Sequence, residues 1–197
     1  IQEEARLFQG KDKWHTNHIP NTDFKEITMH DGPNGLRIEV NDTLGFPLSK
    51  PAIAYPTAAL MGCSFDRALL EEYGEILAEE CISTDTDILL GPGVNHKRSP
   101  SGGRNFEYFS EDPLLSGELA GAYINGVQKH GIGCSLKHFA SNNREYGRMI
   151  NDSVMDERTL HEIYLKQFKI AIEASHPYTI MNAYNKLNGI HCTEHQS

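Results

Sequence analysis

Apolar positions along this chain follow two alternating patterns. In the first they recur every three or four residues over several turns, the spacing of a helix with one buried face. From Asp66 to Ser83, Leu69, Leu70, Tyr73, Ile76 and Leu77 share one stripe and glutamates hold the other face, which predicts a helix capped by Ser64 or Asp66. Ser116 to His130 repeats the pattern, with Leu119, Ala120, Tyr123, Ile124 and Val127 inward and Gly131 as the stop. A third helix is expected from about Asp156 to Ala174, with Asp156 as its cap and Leu160, Ile163, Tyr164, Phe168 and Ala171 on its buried face. Ile1 to Phe8 reads as the tail of another helix, closed by Gly10.

The second pattern is a short apolar run, as in a strand buried on both faces. Lys25–His30, Asp87–Leu90, Gly133–Phe139 and Tyr178–Met181 read this way, and residues 39–56, rich in Pro and Gly, read as irregular. Strands alternating with helices imply a parallel sheet. Each run opens into a polar loop, so Asp31, Asn95, Lys137-His138 and Tyr184 all stand at strand ends. In a parallel sheet those ends share one edge, where α/β proteins bind ligands. Four polar clusters spread over four strands favour a (β/α)8 barrel over an open doubly wound sheet. No G-x-G-x-x-G follows the first strand and no G-x-x-x-x-G-K-[ST] occurs, which disfavours a nucleotide fold.

Composition adds exclusions. With 197 residues there is room for one domain, and 39% hydrophobic residues supply a core. Lys plus Arg number 18 against 27 Asp plus Glu, and the net charge of -9 argues against nucleic acid or an anionic membrane as partner. No apolar run approaches the ~20 residues of a membrane span. Cys63, Cys81, Cys134 and Cys192 are scattered without C-x-x-C spacing, which disfavours metal or redox use and fits reduced, mostly buried thiols in a cytoplasmic protein. There is no signal peptide, but the chain opens inside a helix-like run without Met, so the domain is expected to be incomplete at its start.

The densest chemistry lies in the loop after Leu90, which carries Asn95, Lys97, Arg98, Arg104, Asn105, Glu107, Glu111 and Asp112. Such a loop is either a solvated surface with ion pairs or a binding site. The segments DGPNGLR (31–37), LGPGVNHKRSPSGGRNFEYFSEDP (90–113), SLKHFASNN (135–143), DERTLHEIYL (156–165) and MNAYNKLNG (181–189) closely resemble the amino-terminal barrel domain of family 3 glycoside hydrolases, in its bacterial β-glucosidase branch. The likeness covers nearly the whole chain in the family's order. It implies a partial (β/α)8 barrel, a retaining exo-acting β-glucosidase activity, a small carbohydrate substrate and no cofactor.

By this resemblance the sugar is held by Asp31, Arg37, Arg104, Lys137, His138, Arg148, Met181 and Tyr184. The residue types suit the task, since a carboxylate accepts from adjacent hydroxyls while Arg and Lys donate charge-assisted bonds. Structural alternatives stay open: Asp31 as a turn cap, Arg37 and Arg148 as ion-pair partners, Lys137 and His138 as a satisfied core pair, Met181 as packing. Glu107, Glu111 and Asp112 are expected to hold the loop rather than to act on substrate.

The chain departs from the family pattern at Phe65, where Trp is frequent, and at its end. The G-x-V-x-S-D-W type segment bearing the nucleophilic Asp does not occur before Ser197, and the acid/base belongs to a second, open-sheet domain. Residues 1–197 are therefore expected to be a fragment, incomplete at both ends, with the sugar-binding wall and neither catalytic carboxylate. Two other readings stand beside the β-glucosidase. One is a non-catalytic carbohydrate-binding relative. The other is the β-N-acetylhexosaminidase branch, against which KHFASNN (137–143) weighs because it lacks that branch's K-H-F-P-G-H-G loop.

Overall fold

The structure is a computed structural model that describes residues 5, 8–20, 22–40 and 48–196. Its centre is a sheet of four strands, β1 (Met29–Asp31), β4 (Ile88–Leu90), β5 (Gly133–Phe139) and β7 (Thr179–Asn182). They pair in that order and all in parallel, with Asp31 opposite Leu90, Leu89 opposite Cys134 and Lys137 opposite Met181. A doubly wound sheet reverses its strand order at a switch point. Here spatial order equals chain order, as in a barrel, and the four strands with their helices form part of a (β/α)8 barrel.

The other strands are two residues long. β2 (Glu39–Val40) and β3 (Leu48–Ser49) form an antiparallel pair inside the stretch expected to be irregular. β6 (Asp152–Ser153), β8 (Lys186–Leu187) and β9 (Ile190–His191) make a small separate sheet. The expected helix at Ile1 to Phe8 lies almost wholly outside the described residues.

Helix α1 (Ala58–Gly62) precedes α2 (Arg67–Ser83), which Asp66 caps through the amides of Ala68 and Leu69. The buried face of α2 is Leu70, Tyr73, Gly74, Leu77, Ala78 and Cys81, while Leu69 and Ile76 are exposed. The stripe is thus rotated from the expected one, because Gly74 and Ala78 turn the small side of α2 toward α3 (Pro113–Gln128). A Cβ on Gly74 would stand 2.4 Å from the Tyr123 carbonyl oxygen, and one on Gly126 2.0 Å from that of Glu71. Only glycine permits this approach. α3 begins earlier than Ser116 because Asp112 caps it with Pro113 in the first turn, a start signal of fixed φ.

The third expected helix divides into a short turn α4 (Glu157–Thr159), a π-helical segment (Leu160–Tyr164) and α5 (Lys166–Ser175). Asp156 caps α4 as expected. Of the cysteines Cys81 and Cys134 are buried, Cys192 is half-buried and Cys63 is exposed, all as free thiols. A cavity of about 700 Å³ is lined by Phe139 of β5 and by Leu165, Phe168 and Ile172, among others, along the π-helical segment and α5.

Candidate functional site

The C-terminal ends of the sheet hold a chain of alternating charges. Lys137, buried on β5, donates from Nζ to Asp31 Oδ1 at 2.7 Å and lies 3.7 Å from Glu107 Oε1. Glu107 accepts two bonds from Arg104, Nε at 2.9 Å and Nη2 at 2.7 Å, the fork geometry that suits guanidinium and carboxylate. Arg104 Nε lies 3.9 Å from Glu145 Oε1, and Arg148 Nη1 donates to Glu145 Oε2 at 3.1 Å. The Arg148 guanidinium then sits over the Tyr184 ring, 5.0 Å from its centroid. Asp31, Lys137, Glu107, Arg104, Glu145 and Arg148 alternate in sign, so every charge of this cluster has an opposite neighbour.

Backbone pairing places these groups. Lys137 N donates to Pro92 O at 3.0 Å and Lys137 O accepts from Val94 N at 2.8 Å, so the loop after β4 runs along β5 as far as Asn95. The Lys137–His138 and Phe139–Ala140 peptide bonds are cis, and the β5–β7 register shifts between Lys137 and Phe139. Asp31 is the last residue of β1, and Arg37 N donates to its carbonyl at 2.8 Å. Two helix tyrosines hold the turn that follows, with Tyr73 Oη donating to Pro33 O at 2.9 Å and Tyr123 Oη at 3.2 Å.

His138 is buried and held from three sides. Asn95 Nδ2 donates to the His138 carbonyl at 2.9 Å, and Asn95 Oδ1 accepts from its amide at 2.9 Å. The same Oδ1 lies 3.2 Å from Nδ1, and the Tyr108 hydroxyl is also 3.2 Å from Nδ1. Burial first, then the Arg104, Lys137 and Arg148 charges, push the imidazole down to about 2, so it is neutral at any physiological pH. Burial would raise the Asp31 carboxyl, but the Lys137 ammonium, the Gly32 amide and the Arg104 charge together outweigh it and the net shift is downward. Asp31 is therefore an open carboxylate with one oxygen committed to Lys137, its side chain 33% exposed against 2% for Lys137.

Of the eight residues expected to hold sugar, Asp31, Lys137, Arg104, His138, Arg148 and Tyr184 share this arrangement. Met181 stands directly beside Lys137 in the sheet register. Arg37 is exposed and its guanidinium turns to Glu39 at 3.4 Å, which matches the ion-pair alternative left open for it. Arg148 combines an ion pair with its place over Tyr184. Glu107 and Asp112 act as expected of loop-holding groups, binding Arg104 and capping α3. Tyr73 and Tyr123 were expected only as packing on their helix stripes, because bonds to Pro33 from 40 and 90 positions away leave no trace in periodicity.

What the arrangement offers is alternate donors and acceptors at the mouth of a parallel barrel, the complement of adjacent sugar hydroxyls. The family model described as "Glycosyl hydrolase family 3 N terminal domain" matches residues 38–197. The chain is similar to "Thermostable beta-glucosidase B" of Acetivibrio thermocellus, 50% identical over 100% of the chain and 26% of that protein. It is 42% identical to an "Exo-alpha-(1->6)-L-arabinopyranosidase" of Bifidobacterium longum, over 98% of the chain and 26% of the relative. Among solved structures, a β-glucosidase from Kluyveromyces marxianus in complex with glucose superposes with a TM-score of 0.92 at 39% identity, over 98% of this chain and 23% of that one. The chain thus spans about a quarter of the length of these relatives. It belongs to glycosyl hydrolase family 3, within the family's N-terminal domain.

Proposed function

We propose that these residues form the sugar-binding wall of a retaining exo-acting β-glucosidase that removes glucose from the non-reducing end of β-glucosides. The observation that carries this reading is the buried Lys137 bonded at 2.7 Å to the open Asp31 carboxylate. The pair presents a cation and an anion to neighbouring hydroxyls. A hydroxyl contact of this charge-assisted kind can strengthen as the ring gains oxocarbenium character, which makes it useful for rate as well as for affinity. Arg104, His138, Arg148 and Tyr184 extend the wall, and Met181 lines it beside Lys137.

In this reading the nucleophile and the acid/base come from polypeptide outside the 197 residues. Neither Glu107 nor Glu145 is free for that work, since each is held by arginines. A non-catalytic sugar-binding protein would keep the same wall, so kinetics decides between the two. In the longer polypeptide that carries these residues, Asp31→Asn or Lys137→Ala should lower kcat/KM for an aryl β-glucoside by roughly 2–4 kcal/mol. Unchanged kinetics in a folded variant would return the pair to a structural role. Because one relative is named for L-arabinopyranosides, an aryl α-L-arabinopyranoside assayed in parallel fixes the sugar.

A further inference from the structure

We infer that Asn95 is a positioning residue that fixes His138 in its Nδ1–H tautomer, so that Nε2 meets the sugar as an acceptor and not as a donor. The inference rests on the sugar-binding reading above and names what one group in that wall reads.

The orientation of the Asn95 amide follows from its bonds. Its nitrogen must face the His138 carbonyl, which only accepts, and its oxygen must face the His138 amide, which only donates. Asn95 is itself almost wholly buried, so no solvent competes for these bonds. The oxygen, so placed, is also 3.2 Å from Nδ1. With a proton on Nδ1, the ring donates to the second lone pair of that oxygen. With the proton on Nε2, the Asn95 oxygen and Nδ1 would bring two lone pairs face to face at the same distance in a buried place, and the Tyr108 hydroxyl would have to turn from Asn142 O to donate to Nδ1.

Tyr108 agrees with the first arrangement. Its hydroxyl, 3.2 Å from Nδ1, can accept from Nδ1–H while it donates to Asn142 O at 3.4 Å. Nε2 has no hydrogen-bond partner among the described residues, although the charges of Arg104, Lys137 and Arg148 all bear on the ring. A neutral acceptor at that place selects a ligand hydroxyl that gives its proton to His138. A carbonyl or fluorine at that place on the ligand, able only to accept, would face a lone pair.

A neutron diffraction map of the full polypeptide locates the proton. Deuterium on Nδ1 supports the inference, and deuterium on Nε2 overturns it. A kinetic test uses aryl β-glucosides carrying fluorine in place of the 3-, 4- or 6-hydroxyl. At one position the wild-type protein should lose roughly tenfold or more in kcat/KM, the scale of one hydrogen bond. Asn95→Ala should lose much of that discrimination at the same position, whereas Tyr108→Phe should keep it. Equal penalties in wild type and Asn95→Ala would overturn the positioning role, and the neutron map decides the question if Asn95→Ala does not fold. Absence of hydrolysis in the wild-type protein would sink the proposed function instead, and leave the tautomer to the map.

Discussion

Lys137 Nζ lies 2.7 Å from Asp31 Oδ1, a bond that crosses over β4 to join two strands that do not touch in the sheet. The pair is unequal: the ammonium is enclosed and the carboxylate opens to solvent. Asp31→Asn should therefore cost stability as well as binding, because it leaves Lys137 with Glu107 at 3.7 Å as its one anionic neighbour among the described residues. Breaking a buried pair costs about 3–5 kcal/mol, and the exposure of Asp31 should bring the loss to about 1–3 kcal/mol. Urea midpoints of the two proteins check this.

Asp31 and His138 give folding a particular dependence on acid. The Asp31 carboxyl is held below its ordinary 3.8, so its contribution is full above that value and lost as pH falls through the folded pKa. His138 acts in a higher window. Its folded pKa of about 2 lies below the unfolded 6.5, so between them the unfolded chain binds a proton that the native state refuses. Stability should therefore fall with acid at about 1.4 kcal/mol per pH unit from this one group. His138→Gln should remove one proton's worth of slope between about pH 3 and pH 6, measured as the pH dependence of the unfolding free energy. An unchanged slope would mean that the imidazole charges in the native state.

The contact of α2 with α3 sets a separate expectation. Gly126→Ala drives a methyl group to 2.0 Å from the Glu71 carbonyl oxygen, so the helices must separate. The cost should be roughly 1–3 kcal/mol or more in unfolding free energy. It should also weaken sugar binding slightly, because Tyr73 and Tyr123 hold the Asp31 turn from these two helices.

Purified residues 1–197 alone should not hydrolyse β-glucosides at an enzymatic rate. Retaining cleavage needs two free carboxyl groups about 5–5.5 Å apart. In this cluster Glu107 and Glu145 are bound by arginines and Asp31 by Lys137. Turnover of a nitrophenyl β-glucoside well above that of a Lys137→Ala control would show that one of the three is catalytic.

Much of this is legible in the sequence alone. The strand ends pointed to Asp31, Lys137 and His138 as neighbours, because a parallel sheet gathers C-terminal ends on one edge. Asp156 was readable as a cap, and Asp66 as one of two candidates beside Ser64, since a cap is a local rule. The rotation of the α2 stripe was not, because Gly74 and Ala78 carry little hydrophobic signal and act by letting α3 come close. The turn of Arg37 to Glu39 and the link through Glu145 depend on side-chain choices that spacing does not encode. The β2–β3 pair was hidden for a similar reason, each strand being only two residues long.

The most direct test of the account is a crystal structure of the full polypeptide with glucose. The account predicts the sugar ring against Asp31, Lys137, Arg104 and His138, with hydroxyls within hydrogen-bond distance of Asp31 Oδ2 and Lys137 Nζ. Glucose bound elsewhere, with the Asp31–Lys137 pair intact and empty, would contradict it.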